Sequence, residues 1–165
     1  MNTLVNKLPQ SKNTSLHIAR VQSIENIFSL VKRGVRDSVP QAQKIAWGLA
    51  DRDKIKTCFN VWEFLKNNVR YEKESKELQT IKTLSRLLTQ DKKGDCKHFS
   101  TATASLLTAL NIPFFYRLVS FNYYSPSPTH IYIVAKINGE EIPIDCVLNN
   151  FNYEHSYKHK TDYKC

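Results

Sequence analysis

The segment GDCKHFS, residues 94–100, stands where a turn gives way to a helix. Residues 91–95 are polar and typical of a turn, and from Cys96 onward apolar residues recur at the 3.6-residue period of a helix. Asn111 and Pro113 then end that helix. A thiol at a helix N-terminus feels the positive end of the helix dipole, which favours the thiolate. Cys96 is therefore the candidate nucleophile.

A β-hairpin after this helix contains a candidate base. Asn138-Gly139 is typical of a two-residue type I′ turn, which pairs Ile137 with Glu140. In that register His130 and Asp145 share one face as diagonal neighbours, with Cα atoms about 7–8 Å apart. Asp145 can then orient the imidazole. On the register alone, an ordinary strand with one exposed histidine and one exposed aspartate is an equally good interpretation.

The same register makes His130 the preferred partner of Cys96. A nucleophilic thiolate needs a base within hydrogen-bond reach. His98 is closer in sequence, but two residues of helix rotate it by about 200° away from Cys96. We expect Cys58 to be buried on an apolar helix stripe and Cys146 to lie on the apolar face of the hairpin, so neither competes for the role of nucleophile.

Helix-period patterns come first in the chain and strand-period patterns come last. The predicted helices are Ser23–Lys32, a second from Pro40 to Leu49, a third capped by Asp53 and reaching Leu65, a weaker one over Ser75–Leu88, and the helix that starts at Cys96. The predicted strands are Phe114–Asn122, Thr129–Ile137 and Glu140–Cys146. This segregation predicts an α+β fold in which a helix covers the apolar face of a C-terminal antiparallel β-meander.

The length of 165 residues suits a single domain. Residues 1–16 read as a loose lead-in, and residues 149–165 form a polar, aromatic and basic tail without a clear period. The N-terminus lacks the apolar stretch of a signal peptide, and no apolar run approaches the ~20 residues that span a membrane. The expected location is therefore the cytoplasm, with no membrane association. The sequence leaves the oligomeric state open.

Three blocks in order resemble the transglutaminase-like superfamily, which has the papain-like cysteine protease fold. Residues 94–100 resemble its Gly-Asp-Cys block, residues 129–133 its histidine strand, and residues 143–145 its aspartate strand. The resemblance covers roughly residues 59–147. It is similar to the short members encoded by bacteria and their phages, which extends the expected setting to a phage-infected cell or a virion.

The resemblance implies a cysteine peptidase or amidase with Cys96, His130 and Asp145 as its catalytic triad. Its substrate would be a protein or peptide, and it would need neither cofactor nor metal. The oxyanion would be held by the backbone N–H of Cys96 and a second donor, with Gln79 the first candidate and Gln90 the second. The alternatives are a cross-linking transglutaminase and a catalytically silent binding or structural protein of the same fold.

Hydrolysis is the expected reaction because basic residues cluster around the proposed nucleophile. Lys92, Lys93 and Lys97 would repel the ammonium group of an incoming amine and would favour acidic segments in the acyl donor. A chain of this size also offers few walls to keep water, at about 55 M, away from a thioester. Transamidation would need such walls.

Two other site types deserve comparison with the triad. The net charge is +9, and the tail mixes basic and aromatic residues over residues 153–160, as nucleic-acid-binding segments do. The basic residues are otherwise spread along the chain and form no reading motif, so nucleic acid is an unlikely partner. A zinc site is conceivable but its spacings match no familiar finger; its ligands would be Cys96, His98, His130 and Cys146.

Overall fold

The computed structural model describes residues 2–9, 16–19, 24–75 and 79–164, and these residues form an α+β fold. The α-helices are Asn2–Val5 (α1), Ile24–Ala42 (α2), Lys54–Asn68 (α3) and Cys96–Ala109 (α4), with a 3₁₀ helix at Ala46–Leu49 and a π-helical segment at Arg86–Asp91. The strands are Leu16–Ala19 (β1), Arg70–Tyr71 (β2), Gln79–Lys82 (β3), Lys93–Gly94 (β4), Phe114–Ser120 (β5), His130–Ile137 (β6), Glu140–Ile144 (β7) and His159–Lys164 (β8).

The main sheet has four antiparallel strands in the order β7-β6-β5-β8. Its first three strands in sequence are the predicted meander. The Asn138-Gly139 turn, where Asn138 has φ 52 and Gly139 has φ 87, pairs Ile137 with Glu140 and Ile133 with Ile144. This is the predicted register. Two small ladders lie outside this sheet: β1 pairs with β3, and β2 pairs in parallel with β4.

The inner face of the sheet packs against the helices, as the alternation of apolar residues predicts. A hydroxyl fixes α4 on this face, because Ser100 Oγ donates a hydrogen bond of 3.1 Å to the carbonyl of Ile131. The helix that begins at Cys96 is thereby tied to the strand that begins at His130. The sheet residues buried in this core are Tyr116, Leu118, Ile131, Ile133, Ala135, Ile137, Ile142 and Ile144.

The outer face of the sheet is covered by the C-terminal residues. Arg117, only 2% exposed, forms ion pairs with Asp162 at 2.9 Å, Glu154 at 2.8 Å and Glu141 at 2.9 Å. Tyr157 packs against a small apolar cluster beside these pairs. The tail, which showed no clear period in the sequence, is therefore ordered by the sheet: β8 completes it, and carboxylates of residues 154 and 162 balance a buried guanidinium.

Two of the predicted helices are wrong. Pro40 does not begin a helix but lies in the last turn of α2, which starts well before it and ends at Ala42. The weak helix predicted over residues 75–88 is replaced by β3, which pairs with β1, and by a helical segment that follows it. Ser23, residues 1 and 10–15 of the lead-in and residues 76–78 lie outside the described residues, whereas the described part of the lead-in contains α1. Across the described part of the chain, no helix combines the length and apolar character needed to cross a membrane.

Candidate active site

Cys96 is the first residue of α4, as predicted, and the residues around it fix the start of that helix. Asp95 is the N-cap, and the Nδ1 atom of His98 lies 2.8 Å from its Oδ1 and 3.1 Å from its backbone nitrogen. Gly94 has no room for a side chain, since a Cβ there would lie 2.7 Å from the Cβ of His98. His98 therefore serves the backbone of the nucleophile's turn and faces away from the sulfur.

A buried charge network stands next to the nucleophile. Lys97 is 3% exposed, and its ammonium group contacts carboxylate oxygens of Glu74 at 2.9 Å and of Asp95. Burial would raise the pKa of Asp95, but hydrogen bonding with His98 and the positive charges nearby outweigh it and hold this pKa well below its usual range. The expected free positive charge of Lys97 is thus offset. Lys93, likewise, pairs with Glu72 at 2.7 Å.

His130 and Asp145 meet as the register predicts. The Nε2 atom of His130 lies 2.6 Å from Asp145 Oδ2, and the other carboxylate oxygen accepts a 3.0 Å hydrogen bond from the backbone N–H of Val147. Burial alone would lower the pKa of His130, but the interactions of the ring with Asp145 and Cys96 outweigh the effect of burial and raise the pKa to about 10. The imidazole is therefore held in its protonated form.

The three predicted catalytic side chains are brought together. His130 is hydrogen-bonded to Asp145 and lines the same cavity as Cys96. Because Nε2 faces Asp145, the ring nitrogen left for the sulfur is Nδ1. Cys96 is partly exposed, whereas Cys58 and Cys146 are buried, as predicted, and burial raises the pKa of each of those two thiols to about 12. The cavity therefore brings together a partly exposed thiol and an imidazole whose pKa is raised.

Helix α3 holds the aspartate in place from behind. The Nε1 atom of Trp62 donates a 3.0 Å hydrogen bond to the backbone carbonyl of Asp145. Lys66, one turn further along α3, donates to the carbonyl of Leu148 at 2.7 Å. The turn that follows β7 is thus anchored at two points, and neither contact could be read from the sequence because the partners are 83 and 82 residues apart.

A cavity of about 430 Å³ opens beside the nucleophile. Gln79, the first oxyanion candidate, lines it, although this residue lies on β3 and its amide nitrogen already donates to the carbonyl of Ser75. Gln90, the second candidate, lies in the π-helical segment and is not among the described lining residues. The lining includes Ile27, Phe28, Tyr71, Lys73, Glu74, Gln79, Asp95, Cys96, Leu118, Pro128, Thr129 and His130.

Potential metal ligands are arranged differently from the zinc set weighed above. Among the described residues, the group whose ligand atoms all lie within 4.8 Å of one another is Glu74, Asp95 and His98. The ammonium of Lys97 already pairs with both carboxylates of that group. Cys146 is in the core, where its sulfur contacts Thr103 Oγ1 at 3.8 Å, so it does not converge with Cys96 and His130.

A family profile described as a transglutaminase-like domain matches residues 40–164 of the chain. The chain belongs to this transglutaminase-like family. The matched region runs from the end of α2 into β8 and includes Cys96, His130 and Asp145. No curated protein matches the chain significantly.

Solved structures with similar folds come from larger proteins. A proposed protease from Parabacteroides distasonis aligns with a TM-score of 0.56 and 11% identity, over 76% of this chain and 27% of its own length. A proposed cysteine protease from Cytophaga hutchinsonii aligns with a TM-score of 0.47 and 20% identity, over 82% of this chain and 42% of its own length. A structure described as a TGase aligns with a TM-score of 0.45 and 14% identity, over 82% of this chain and 36% of its own length. The transglutaminase-like domain thus has an α+β papain-like fold and spans less than half the length of each.

Several residues at the site were missed by the sequence. The sequence does not indicate a role for Glu74, because no local pattern links it to its partner Lys97 and the burial of Glu74 depends on the fold. Tyr71 lines the cavity beside Cys96, and its place in the sequence does not indicate this. Phe121 is the third: its ring centroid lies 6.2 Å from that of His130. Its position nine residues before His130, just ahead of a turn-rich segment, was the available hint.

Proposed function

We propose that this transglutaminase-like domain is a cysteine peptidase or amidase that cleaves an amide of a protein or peptide through a thioester on Cys96. The observation that supports it best is the 2.6 Å contact between His130 and Asp145 in the cleft where Cys96, partly exposed, lines the same cavity as His130. These residues come from α4, β6 and the end of β7, three elements with separate reasons for their positions. A chance surface histidine would not have both partners.

In the first half of the reaction, the Cys96 thiolate attacks the amide carbonyl and a C–S bond forms. The C–N bond then breaks as the His130 imidazolium gives its proton to the departing amine. Asp145 keeps the imidazole oriented and stabilises its charge. The raised pKa of His130 suits a resting ion pair in which the proton to be delivered is already on the ring.

In the second half, water attacks the thioester. His130, now neutral, takes a proton from the water, the C–S bond breaks, and a carboxylic acid leaves. The sum is amide plus water giving acid plus amine, and the thiolate–imidazolium pair returns. The backbone N–H of Cys96 and the amide of Gln79 are the proposed oxyanion donors, and Gln79 keeps a second N–H beyond the one used on Ser75.

Transamidation is the second candidate, and one observation favours it over the sequence-based expectation. The repulsion expected from lysines near the nucleophile is reduced, since Lys97 pairs with Glu74 and Asp95 while Lys93 pairs with Glu72. A primary amine could therefore approach the thioester at less electrostatic cost. Water needs no such approach path, and hydrolysis remains our first proposal.

The deciding experiment gives the protein a mixed peptide library and a labelled primary amine, and compares it with Cys96→Ala and with the buried-thiol control Cys58→Ala. We expect cleaved peptides from the unaltered chain and from Cys58→Ala, but none from Cys96→Ala. Incorporated amine without cleavage would make the protein a cross-linking enzyme. If the folded protein yields neither product, a binding role replaces catalysis.

A further inference from the structure

The cleft around His130 has two compartments. The first is the 430 Å³ cavity that contains Cys96, and the second, of about 330 Å³, lies on the other side of the imidazole. Both are lined by Tyr71, Lys73, Thr129 and His130. Cys96 lines the first and not the second, whereas Asp145 lines the second and not the first. We call the second compartment the His130 far-side cavity.

The proposed chemistry gives each compartment a different part of the substrate, so this step rests on the function proposed above. The acyl carbon must bond to the Cys96 sulfur, which places the acyl portion of the substrate in the first cavity. The departing nitrogen must accept its proton from His130. The amine portion therefore extends past the imidazole toward the His130 far-side cavity.

Aromatic rings surround that cavity. Phe121 is 46% exposed, and its ring centroid stands 6.2 Å from that of His130 with an angle of 33° between the rings. Tyr132 lies 5.6 Å away on the same imidazole, and Tyr71 is 47% exposed at the mouth shared by both compartments. Large aromatic side chains left open to water beside a reacting group indicate a surface that a ligand covers.

The charged groups of the cavity argue against a cationic ligand. Glu154 already accepts hydrogen bonds from Arg117 at 2.8 Å and from Tyr132 at 2.6 Å. Asp145 is engaged by His130 and by a backbone N–H. The charge of Glu154 is therefore paired with Arg117 and that of Asp145 with His130, and Lys73 adds positive charge at the mouth. What the cavity offers is aromatic surface.

We propose that the His130 far-side cavity is a leaving-group subsite that takes an aromatic or large apolar residue directly C-terminal to the scissile amide. Phe121 forms its outer wall and Tyr71 its entrance. Such a residue would bury the exposed face of Phe121 and would hold its own nitrogen near the His130 ring. A preference of about 10-fold or more over alanine is the usual size for filling an apolar pocket.

The test compares peptides that are identical on the acyl side and carry Phe or Ala after the scissile bond. The unaltered protein should favour Phe, Phe121→Ala should reduce the Phe/Ala ratio of kcat/KM to within about twofold, and Tyr124→Ala should keep it. Tyr124 is the matched control because it belongs to the same loop, is 91% exposed and does not line the cavity. An unchanged ratio in Phe121→Ala, or no preference in the unaltered protein, would overturn the subsite.

A binding measurement separates this proposal from the proposed function. Phenylalaninamide and alaninamide, which mimic the amine products, are titrated into Cys96→Ala while the His130 ring signals are followed by NMR. Phe121-dependent binding of phenylalaninamide supports the subsite even if the active protein hydrolyses nothing, in which case only the function fails. Hydrolysis without any such binding or preference leaves the function standing and removes the subsite.

Discussion

The indole N–H of Trp62 donates a 3.0 Å hydrogen bond to the backbone carbonyl of Asp145. Helix α3 thus holds the residue that orients His130, in addition to the hairpin that carries it. The same carbonyl also accepts a 3.2 Å hydrogen bond from the backbone N–H of Leu148, so the turn after β7 is closed from both sides. Trp62 is 9% exposed, so its indole is largely buried against this turn.

Trp62→Phe should lower kcat about 10-fold and leave KM nearly unchanged. The substitution keeps an aromatic ring in the core but removes the donor to Asp145, which should cost about 1 kcal/mol of stability. Trp47→Phe is the matched control, since Trp47 is 66% exposed. Steady-state kinetics and thermal melts check the pair. A stability loss with unchanged kcat would mean that Trp62 only fills space.

Iodoacetamide at pH 6 should modify Cys96 at least about 100-fold faster than Cys58 or Cys146. Cys96 is partly exposed and lines the same cavity as His130, whereas burial raises the pKa of the other two thiols to about 12. Peptide mapping by mass spectrometry gives the rates. Cys165, which lies outside the described residues, is mapped in the same digest. If any other cysteine is labelled faster than Cys96, the assignment of Cys96 as the nucleophile is wrong.

The His130 ring should titrate with a pKa of about 10, since burial, which would lower it, is outweighed by the hydrogen bond that the ring donates to Asp145 and by the further effect of Cys96. Asp145→Asn and Cys96→Ala should each lower this pKa. Cys58→Ala, which removes a thiol from the core, should leave it unchanged. NMR of the ring protons measures all four proteins. A His130 pKa near the ordinary value of ~6.5 in the unaltered protein would contradict the ion pair.

The same raised pKa predicts how stability depends on pH. Because the folded state binds the His130 proton more tightly than the unfolded chain, its stabilisation is fully present below about pH 6.5 and is lost as the pH rises toward 10. Urea unfolding between those limits should therefore show His130→Ala approaching the unaltered protein as the pH increases. A difference that grows with pH would have the wrong sign.

Gly94→Ala should cost about 1–3 kcal/mol and most of the activity, because the new Cβ would lie 2.7 Å from the Cβ of His98 and the first turn of α4 would have to shift. Gly139→Ala provides the contrast. It strains a φ of 87 and costs about 1–2 kcal/mol, but nothing lies within 4 Å of the new methyl group and the turn is at the far end of β6 from His130. Equal activity losses in Gly94→Ala and Gly139→Ala would contradict the special role given to Gly94 at the start of α4.

The sequence predicted where Cys96, His130 and Asp145 lie in the fold because local rules govern each position. The Asn138-Gly139 turn sets the register that places His130 beside Asp145, and a helix start leaves little freedom at Cys96. Nothing comparable identifies the supports. Trp62 meets Asp145 across 83 residues, and Glu74 meets Lys97 only because both are folded against the start of α4.

Each failed secondary-structure prediction has its own physical cause. Strand β3 is four residues long and pairs with β1, which lies more than 60 residues earlier, so its local pattern carried little information. Strand β8 is an edge strand whose residues are largely exposed, and it lacks the apolar alternation that marks a half-buried strand. Pro40 is tolerated inside α2 because it stands in the last turn, where few helical hydrogen bonds remain to be lost.

The three acidic partners of Arg117 lie 24, 37 and 45 residues further along the chain. A guanidinium cannot leave water alone without a large penalty, so β5 cannot become a central strand until these partners arrive. Closing loops of that length is a slow step in folding. The meander that carries His130 should therefore complete its folding last, with β8 docking as the event that commits the chain. Refolding, followed by the fluorescence of Trp47 and Trp62, should slow markedly in Asp162→Asn. Salt should slow the refolding of the unaltered protein in the same way.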